Sequence, residues 1–376
     1  MNTTTSCKRN QSSSLVKILR TVSLGLCLSL SVASNSLAAN YQLDTVAADL
    51  DFPWSIDFLP NGDILVTELS GSLRRISADG SVSDPIANVP EVFRASQGGL
   101  FDVLVDPDFA NNQRVFLSYA KGDAQSNGTV VASAYLEGDT LSNVKEIFTV
   151  APDKYAPLHY GGRIAWLPDG TLLLTTGDGF DFREQAQNLA THFGKMIRMN
   201  PDGSAPADNP FPEHPFVFSY GHRNPQGLAV AQDGTIYEHE HGPRGGDEVN
   251  IIKPGQNYGW PITTHGLDYN GAYVSPFKER EGIESAAHIW VPSIAPSGLA
   301  VYEGDAFAAW RGNLFVGALV NNDVRRLTLA GNTVVAEEIL FAELDQRIRD
   351  IRVSPDGLLY IITDGAQGQV VRVSPK

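Results

Sequence analysis

The sequence predicts an all-β protein, a six-bladed β-propeller built from four-stranded antiparallel blades. Three observations lead there. Helical periodicity is scarce, and only the short stretch Phe182 to Thr191 reads as helix. A turn followed by a strand-like apolar run recurs six times. The turns fall near residues 61, 108, 169, 233, 312 and 356, so neighbours lie 47, 61, 64, 79 and 44 residues apart, the interval of one blade with insertions.

The first copy is Asp57-Phe-Leu-Pro-Asn-Gly-Asp-Ile-Leu-Val-Thr-Glu. The second is degenerate, Val105-Asp-Pro-Asp-Phe leading to Arg114-Val-Phe-Leu-Ser-Tyr. The third, Ala165-Trp-Leu-Pro-Asp-Gly-Thr-Leu-Leu-Leu-Thr-Thr, shares the Leu-Pro-Asx-Gly turn of the first and the apolar run after it. Val230-Ala-Gln-Asp-Gly-Thr-Ile-Tyr, Trp310-Arg-Gly-Asn-Leu-Phe-Val-Gly and Val353-Ser-Pro-Asp-Gly-Leu-Leu-Tyr complete the set. Each reads as a hairpin: turn-forming Asp, Asn and Gly, then an alternating strand. A ring has to close, and the stretch Tyr41 to Ala48 is placed to pair with the last strand, Gln369 to Val373. No linker rich in Pro, Gly or Ser divides residues 39–376, so they read as one domain.

Residues 1–38 read as a cleavable secretory signal. Lys8, Arg9, Lys17 and Arg20 form a basic leader, Thr21 to Ala33 is mostly apolar, and Ser36-Leu37-Ala38 supplies small residues before a cleavage point. A periplasmic or secreted protein without a membrane span follows. Both cysteines, Cys7 and Cys27, lie in the leader, which leaves no disulfide, thiolate metal site or cysteine nucleophile in residues 39–376. Loss of four positive charges takes the net charge from -15 to -19. That balance argues against nucleic-acid binding.

The densest polar cluster runs from Gly221 to Glu248, where His222, Arg223, Asn224, His239, Glu240, His241 and Arg244 stand among glycines. Packing alone does not call for such residues, so an anion or a metal is expected there. His159 precedes paired glycines, placed like a base with open space beside it. Asp178, leaving the same hairpin that His159 leads into, is placed to accept the other ring N–H. Arg347 and Arg349 alternate along one strand, a pattern able to clamp carboxylates. Gln97 and Ser293 read equally well as turn residues. His239 and His241 share a strand face, although two histidines without a third ligand seldom make a metal site.

In their order along the chain these motifs resemble the soluble pyrroloquinoline quinone (PQQ)-dependent sugar dehydrogenases, of the glucose/sorbosone and aldose sugar dehydrogenase type. The resemblance runs from Pro53-Trp54-Ser55 to Ser354-Pro355-Asp356-Gly357. It implies a six-bladed propeller that uses PQQ and calcium to oxidise C1 of an aldose to a lactone, with electrons passed to an external acceptor. It implies that His159 is the general base, that Asp178 orients it, and that Arg223 stabilises charge developing on the quinone. Gln97, Asn224, Ser293, Arg347 and Arg349 are implied to contact PQQ, whose three carboxylates need cationic partners. His222 would then face the quinone with Arg223 and Asn224. The carbonyls of Gly242 and Pro243 are implied to hold the cofactor's calcium, and Glu248 with Tyr258 a second, structural calcium.

Two positions depart from the family pattern. Leu158 stands where glucose-oxidising members carry an aspartate, and Val320 stands where a lysine usually contacts PQQ. Asn321, Asn322 and Arg325 are near enough in sequence to compensate. Two other readings stay open at this point: a propeller that only binds carbohydrate or protein, and a calcium-dependent lactonase. The residues leave open the sugar, the acceptor, and whether the protein is a monomer or a homodimer.

Overall fold

The strands Pro53–Phe58, Leu100–Val105, Ile164–Trp166, Pro225–Val230, Pro296–Val301 and Ile348–Val353 each open a separate antiparallel sheet. In the computed structural model, which describes residues 41–376, each of these first strands contacts the next, and the sixth contacts the first. The result is a closed ring of six blades, as the repeat count predicts. The signal segment expected over residues 1–38 lies outside the described residues. No helix among the described residues is long and apolar enough to cross a membrane.

Every recurrent turn joins the first and second strands of a blade. In four of them the geometry is nearly superimposable. Leu59, Leu167, Ala231 and Ser354 donate their N–H to the carbonyls of Asp63, Thr171, Thr235 and Leu358 at 2.8 to 2.9 Å. The glycines Gly62, Gly170, Gly234 and Gly357 take φ between +80° and +89°, a conformation that a side chain would strain. In the degenerate second copy a single helical turn, Phe109–Asn112, replaces the glycine turn, and Gln113 adopts the left-handed conformation instead.

Closure follows the expected pairing. Tyr41–Leu50 lies antiparallel to Gly368–Pro375, with Tyr41 opposite Pro375 and Leu43 opposite Val373. The N-terminal strand thus completes the last blade, and the two chain ends lock each other.

Three expectations need adjustment. Five blades have four strands, but the first has three, with a lone bridge from Ile76 to Val82 where the fourth would run. Pro85 follows closely and offers no N–H to extend that ladder. The segment Phe182 to Thr191 contains only a 3-10 turn, Arg183–Gln187, too short for an α-helical nucleus to persist. The second strands are not alternating: Ile64-Leu65-Val66 and Leu172-Leu173-Leu174 are apolar and buried throughout. Each blade is covered on both faces by its neighbours. Leu65 packs toward the second blade, whereas Ile64 and Val66 pack toward the sixth. Leu172 and Leu174 likewise face the second blade, while Leu173 faces the fourth.

Charge gathers at the centre of the ring. Asp102 accepts the Arg352 guanidinium at 2.7 Å and the Ile164 N–H at 3.0 Å. Asp350 pairs with Arg352 at 3.1 Å and with Arg163 at 3.0 Å. Arg163 lies over the Trp54 ring, 4.0 Å from its centroid, and donates to the Gln226 carbonyl at 2.9 Å. These contacts join the inner strands of blades one, two, three, four and six.

Because Asp350 and Arg163 are buried, Asp350→Asn should destabilise the protein by about 3 kcal/mol or more, leaving guanidinium charge unpaired. Asp44→Asn, which breaks the half-exposed pair with Arg372, should cost less than about 1 kcal/mol. The shift in urea midpoint for each variant measures the contrast.

Candidate active site

The first strands begin at one mouth of the ring, and the loops that feed them line a cavity of about 460 Å³. Every blade contributes. Trp54, Gln97, Gly161, Asn224, Ala295 and Arg347 come from just before or at the start of successive first strands. Leu69, His241, Val320 and Asp364 come from loops that follow second strands. A second cavity of about 300 Å³ is lined by Asp178, Phe180, Arg223, Pro243, Trp260 and Tyr269, among others.

His159 lies where these two groups of residues meet, preceding Tyr160 and Gly161 of the first cavity. Its backbone N–H donates to Gln97 Oε1 at 2.8 Å, and its ring packs edge-on against Phe180 of the second cavity. His159 Nδ1 and Asp178 Oδ1 are 2.7 Å apart, both residues buried. The carboxylate therefore fixes the tautomer with hydrogen on Nδ1, and Nε2 is left without a partner among the described residues. Burial lowers the pKa of His159, the Asp178 carboxylate acts to raise it, and Arg223 and Lys154 add to the lowering. A neutral imidazole results, able to accept a proton on Nε2.

The paired glycines play a different part from the one expected. They do not leave open space: a Cβ on Gly161 would meet the Thr175 carbonyl at 2.5 Å, and one on Gly162 would meet the Phe101 ring at 2.8 Å. Gly177 has no room either, since its Cβ would overlap the His159 carbonyl. The glycines let the His159 loop lie flat against the neighbouring hairpin, with His159 itself at φ +51°. Lys154 holds the same loop. Its ammonium donates to the carbonyl of Leu158 at 2.7 Å, and burial pushes its pKa down to about 7.

Arg347 and Arg349 do share a face and line the first cavity. Between them sits Asp364, 2.9 Å from Arg347 Nε and 3.0 Å from an Arg349 terminal nitrogen. The pair therefore presents less net charge than two free arginines. Arg94 adds a third guanidinium, bonded to the carbonyls of Ser96 at 2.8 Å and Gly98 at 3.2 Å, with no carboxylate partner among the described residues. Val320 is exposed at the rim. Arg325, a candidate to compensate for it, is instead committed to Asp323 and Glu337, each at 2.8 Å.

Asn224 lines the first cavity, whereas Arg223 turns toward the second. One Arg223 terminal nitrogen donates to the carbonyls of His241 at 2.9 Å and Gly242 at 2.8 Å. Ser293 is not brought to the cavity lining: its hydroxyl donates to Asp247 Oδ2 at 2.6 Å, and that carboxylate also gathers the N–H groups of Ile294 and Ala295. His222 does not face the cavity either. It is fully buried, with Nε2 2.9 Å from Ser219 Oγ and its ring stacked on Tyr258.

His239 and His241 do not form a metal pair. His239 Nε2 bonds to the Gly298 carbonyl at 2.9 Å, while His241 lines the first cavity. A third histidine, His222, has its Nδ1 grouped with oxygens of Glu238 and Glu240, all within 4.8 Å of one another. Glu248 joins this cluster through Asn250 and the mutual repulsion of the three glutamates. Burial raises the pKa of all three, Glu248 to about 8. Glu238 Oε1, His222 Nδ1 and Asn250 Oδ1 are buried without hydrogen-bond partners, a set of donors of the kind able to hold a cation. Gly242, Glu240, Glu248 and Tyr258 line one small pocket, so residues read as two separate metal sites converge there. The Tyr258 hydroxyl itself is engaged by Ile251 and Lys253, both at 2.8 Å.

Sequence reading missed Arg94, Asp364, Lys154, Glu238 and Trp260. Arg94 and Asp364 stand in ordinary polar loops; strand pairing within the last blade brings Asp364 to Arg347, and the closed ring brings Arg94 to the same cavity. Glu238 sits inside a strand, where alternation alone does not distinguish a buried glutamate from a solvated one.

Known proteins match along nearly the whole described chain. The aldose sugar dehydrogenase YliI of Escherichia coli is 38% identical over 358 residues, covering 92% of this chain and 96% of that one. A solved glucose dehydrogenase superposes with a TM-score of 0.85 at 43% identity, covering 88% of this chain and 99% of the other. The PQQ-bound aldose sugar dehydrogenase of Streptomyces coelicolor superposes with a TM-score of 0.74 at 29% identity, covering 89% and 98%. The model of the Glucose / Sorbosone dehydrogenase family matches residues 50–372, and the chain belongs to that family.

Proposed function

We propose that this protein is a PQQ- and calcium-dependent dehydrogenase that oxidises C1 of an aldose to a lactone and passes the electrons to an external acceptor. The observation that carries the reading is the buried His159–Asp178 pair beside a cavity lined by three guanidiniums. Family membership and the PQQ-bound Streptomyces relative support it.

The cavity residues fit a planar tricarboxylate. Arg94, Arg347 and Arg349 would hold its carboxylates, and Gln97 and Asn224 its polar edge. When bound, PQQ supplies the two-electron acceptor for the sugar's C1. His159 Nε2 takes the proton of the C1 hydroxyl, Asp178 keeps Nδ1 protonated, and its charge offsets the imidazolium that forms. Burial of both groups keeps water from competing for that proton. Arg223, whose backbone carbonyl accepts the Asp178 N–H at 2.8 Å, carries a charge that discourages premature protonation of the imidazole.

Calcium fits the glutamate cluster through its oxygen donors and unpartnered atoms. At Gly242 the fit requires a change, because that carbonyl already accepts Arg223. The leader read in residues 1–38 supports export to the periplasm or beyond. Val320 at the rim leaves Arg94 as the cation that stands in for the family's lysine.

Two outcomes follow. Adding PQQ with calcium to the purified protein should give aldose-dependent reduction of a redox dye, and His159→Ala should lower kcat by roughly 10²- to 10⁴-fold while PQQ still binds. PQQ binding without turnover of any aldose would sink the catalytic reading. Arg94→Gln should weaken PQQ binding by about tenfold, read by quenching of protein fluorescence, and Val320→Lys should recover much of the loss. An Arg94→Gln protein with unchanged affinity would remove Arg94 from the site.

A further inference from the structure

Trp260 touches both halves of the candidate site. Its indole Nε1–H donates to Asp178 Oδ2 at 2.7 Å, while the other oxygen, Oδ1, meets His159 Nδ1 at 2.7 Å. Its ring faces the Arg223 guanidinium, 5.2 Å from carbon to centroid. The residue is anchored through its backbone: Trp260 N donates to the Gly221 carbonyl at 2.8 Å, and its own carbonyl accepts Gln187 Nε2 at 2.7 Å. Trp260 is buried, so the N–H to Asp178 does not exchange for water.

A carboxylate turns about a soft, two-fold torsion, and one hydrogen bond alone does not set its plane. Asp178 Oδ1 also accepts the Phe180 N–H at 2.8 Å, so this oxygen serves two donors and Oδ2 has Trp260. We propose that Trp260 is a positioning residue for the dehydrogenase reaction: its indole N–H locks the plane of Asp178, so that Oδ1 faces His159 and the imidazole keeps Nε2 free for the sugar hydroxyl. By sharing the carboxylate's charge, the same N–H limits how tightly Asp178 holds a protonated His159. The other charged or titratable groups that face His159 are Arg223, Lys154 and His241. The inference rests on His159 being the base.

Trp260→Phe removes the N–H, keeps a ring over Arg223 and leaves those groups in place. With the carboxylate charge less dispersed, the imidazolium is held more strongly, so the acid limb of kcat/KM against pH should move up by about half a unit or more. The kcat should fall roughly tenfold with the sugar's KM unchanged. A merely structural role would lower activity equally at every pH, and an unmoved acid limb overturns the proposal.

A second readout does not depend on a folded Trp260 variant. Among the five tryptophan indole protons, the one perturbed by Asp178→Asn should titrate in the wild-type NMR spectrum with the midpoint of the acid limb. No indole proton titrating with that midpoint also overturns it. His159→Gln separates the two claims: full activity there sinks the reading of His159 as base. An inactive His159→Gln with an unmoved Trp260→Phe profile sinks only the role of Trp260.

Discussion

The buried chain of charge Asp102–Arg352–Asp350–Arg163 is the constraint on which the rest of the structure depends. A propeller blade has apolar faces toward its neighbours, and that packing is nearly isotropic along the ring. The charged hub adds direction. Arg163 cannot move without losing Asp350, the Trp54 ring and the Gln226 carbonyl together. Because Arg163 lies four residues after His159, and Gln226 two after Asn224, the hub sets where both functional loops start. Arg349, whose carbonyl accepts Arg163 at 3.4 Å, ties the cationic side of the cavity to the same point. Removing one member of such a network is expected to cost more than its own contacts, since the others are left buried and unpaired.

Electrostatics on the two sides of the site oppose each other. The protein as a whole is acidic, yet one cavity wall gathers Arg94, Arg347 and Arg349, tempered by Asp364. Further along the chain from Arg223, the three glutamates Glu238, Glu240 and Glu248 are packed into a volume where burial forces protons onto them or calls for a cation. Arg223 stands between these fields, its guanidinium on the carbonyls of His241 and Gly242 and its backbone N–H on Glu240 Oε2 at 2.5 Å. Burial is the main reason His159 stays neutral despite a carboxylate at hydrogen-bond distance, and the charges of Arg223 and Lys154 add to it against the attraction of Asp178.

Much of this was legible in the sequence. Asp-Gly and Asn-Gly turns at blade-length intervals gave the ring, and the closing pair of terminal strands followed from it. The contact between His159 and Asp178 was readable because one precedes and the other follows the same hairpin of one blade. What escaped was set by tertiary proximity. Asp364 meets Arg347 only because second and first strands of the last blade lie side by side, and Arg94 reaches the same cavity from another blade. His222 looked like part of the cavity wall by its position beside Arg223, but consecutive residues at a bend point in opposite directions, and it went into the core against Tyr258. The apolar runs in second strands broke the expected alternation for a similar reason, since a blade has two buried faces and no solvent face.

The most direct test of the account is an anaerobic single turnover followed by absorption. Protein loaded with PQQ and calcium should pass from the oxidised to the reduced quinone spectrum on addition of one equivalent of an aldose, with one equivalent of lactone or its acid recovered. A bound quinone spectrum that stays oxidised across a panel of aldoses would contradict the assignment of this cavity as a sugar-oxidising site.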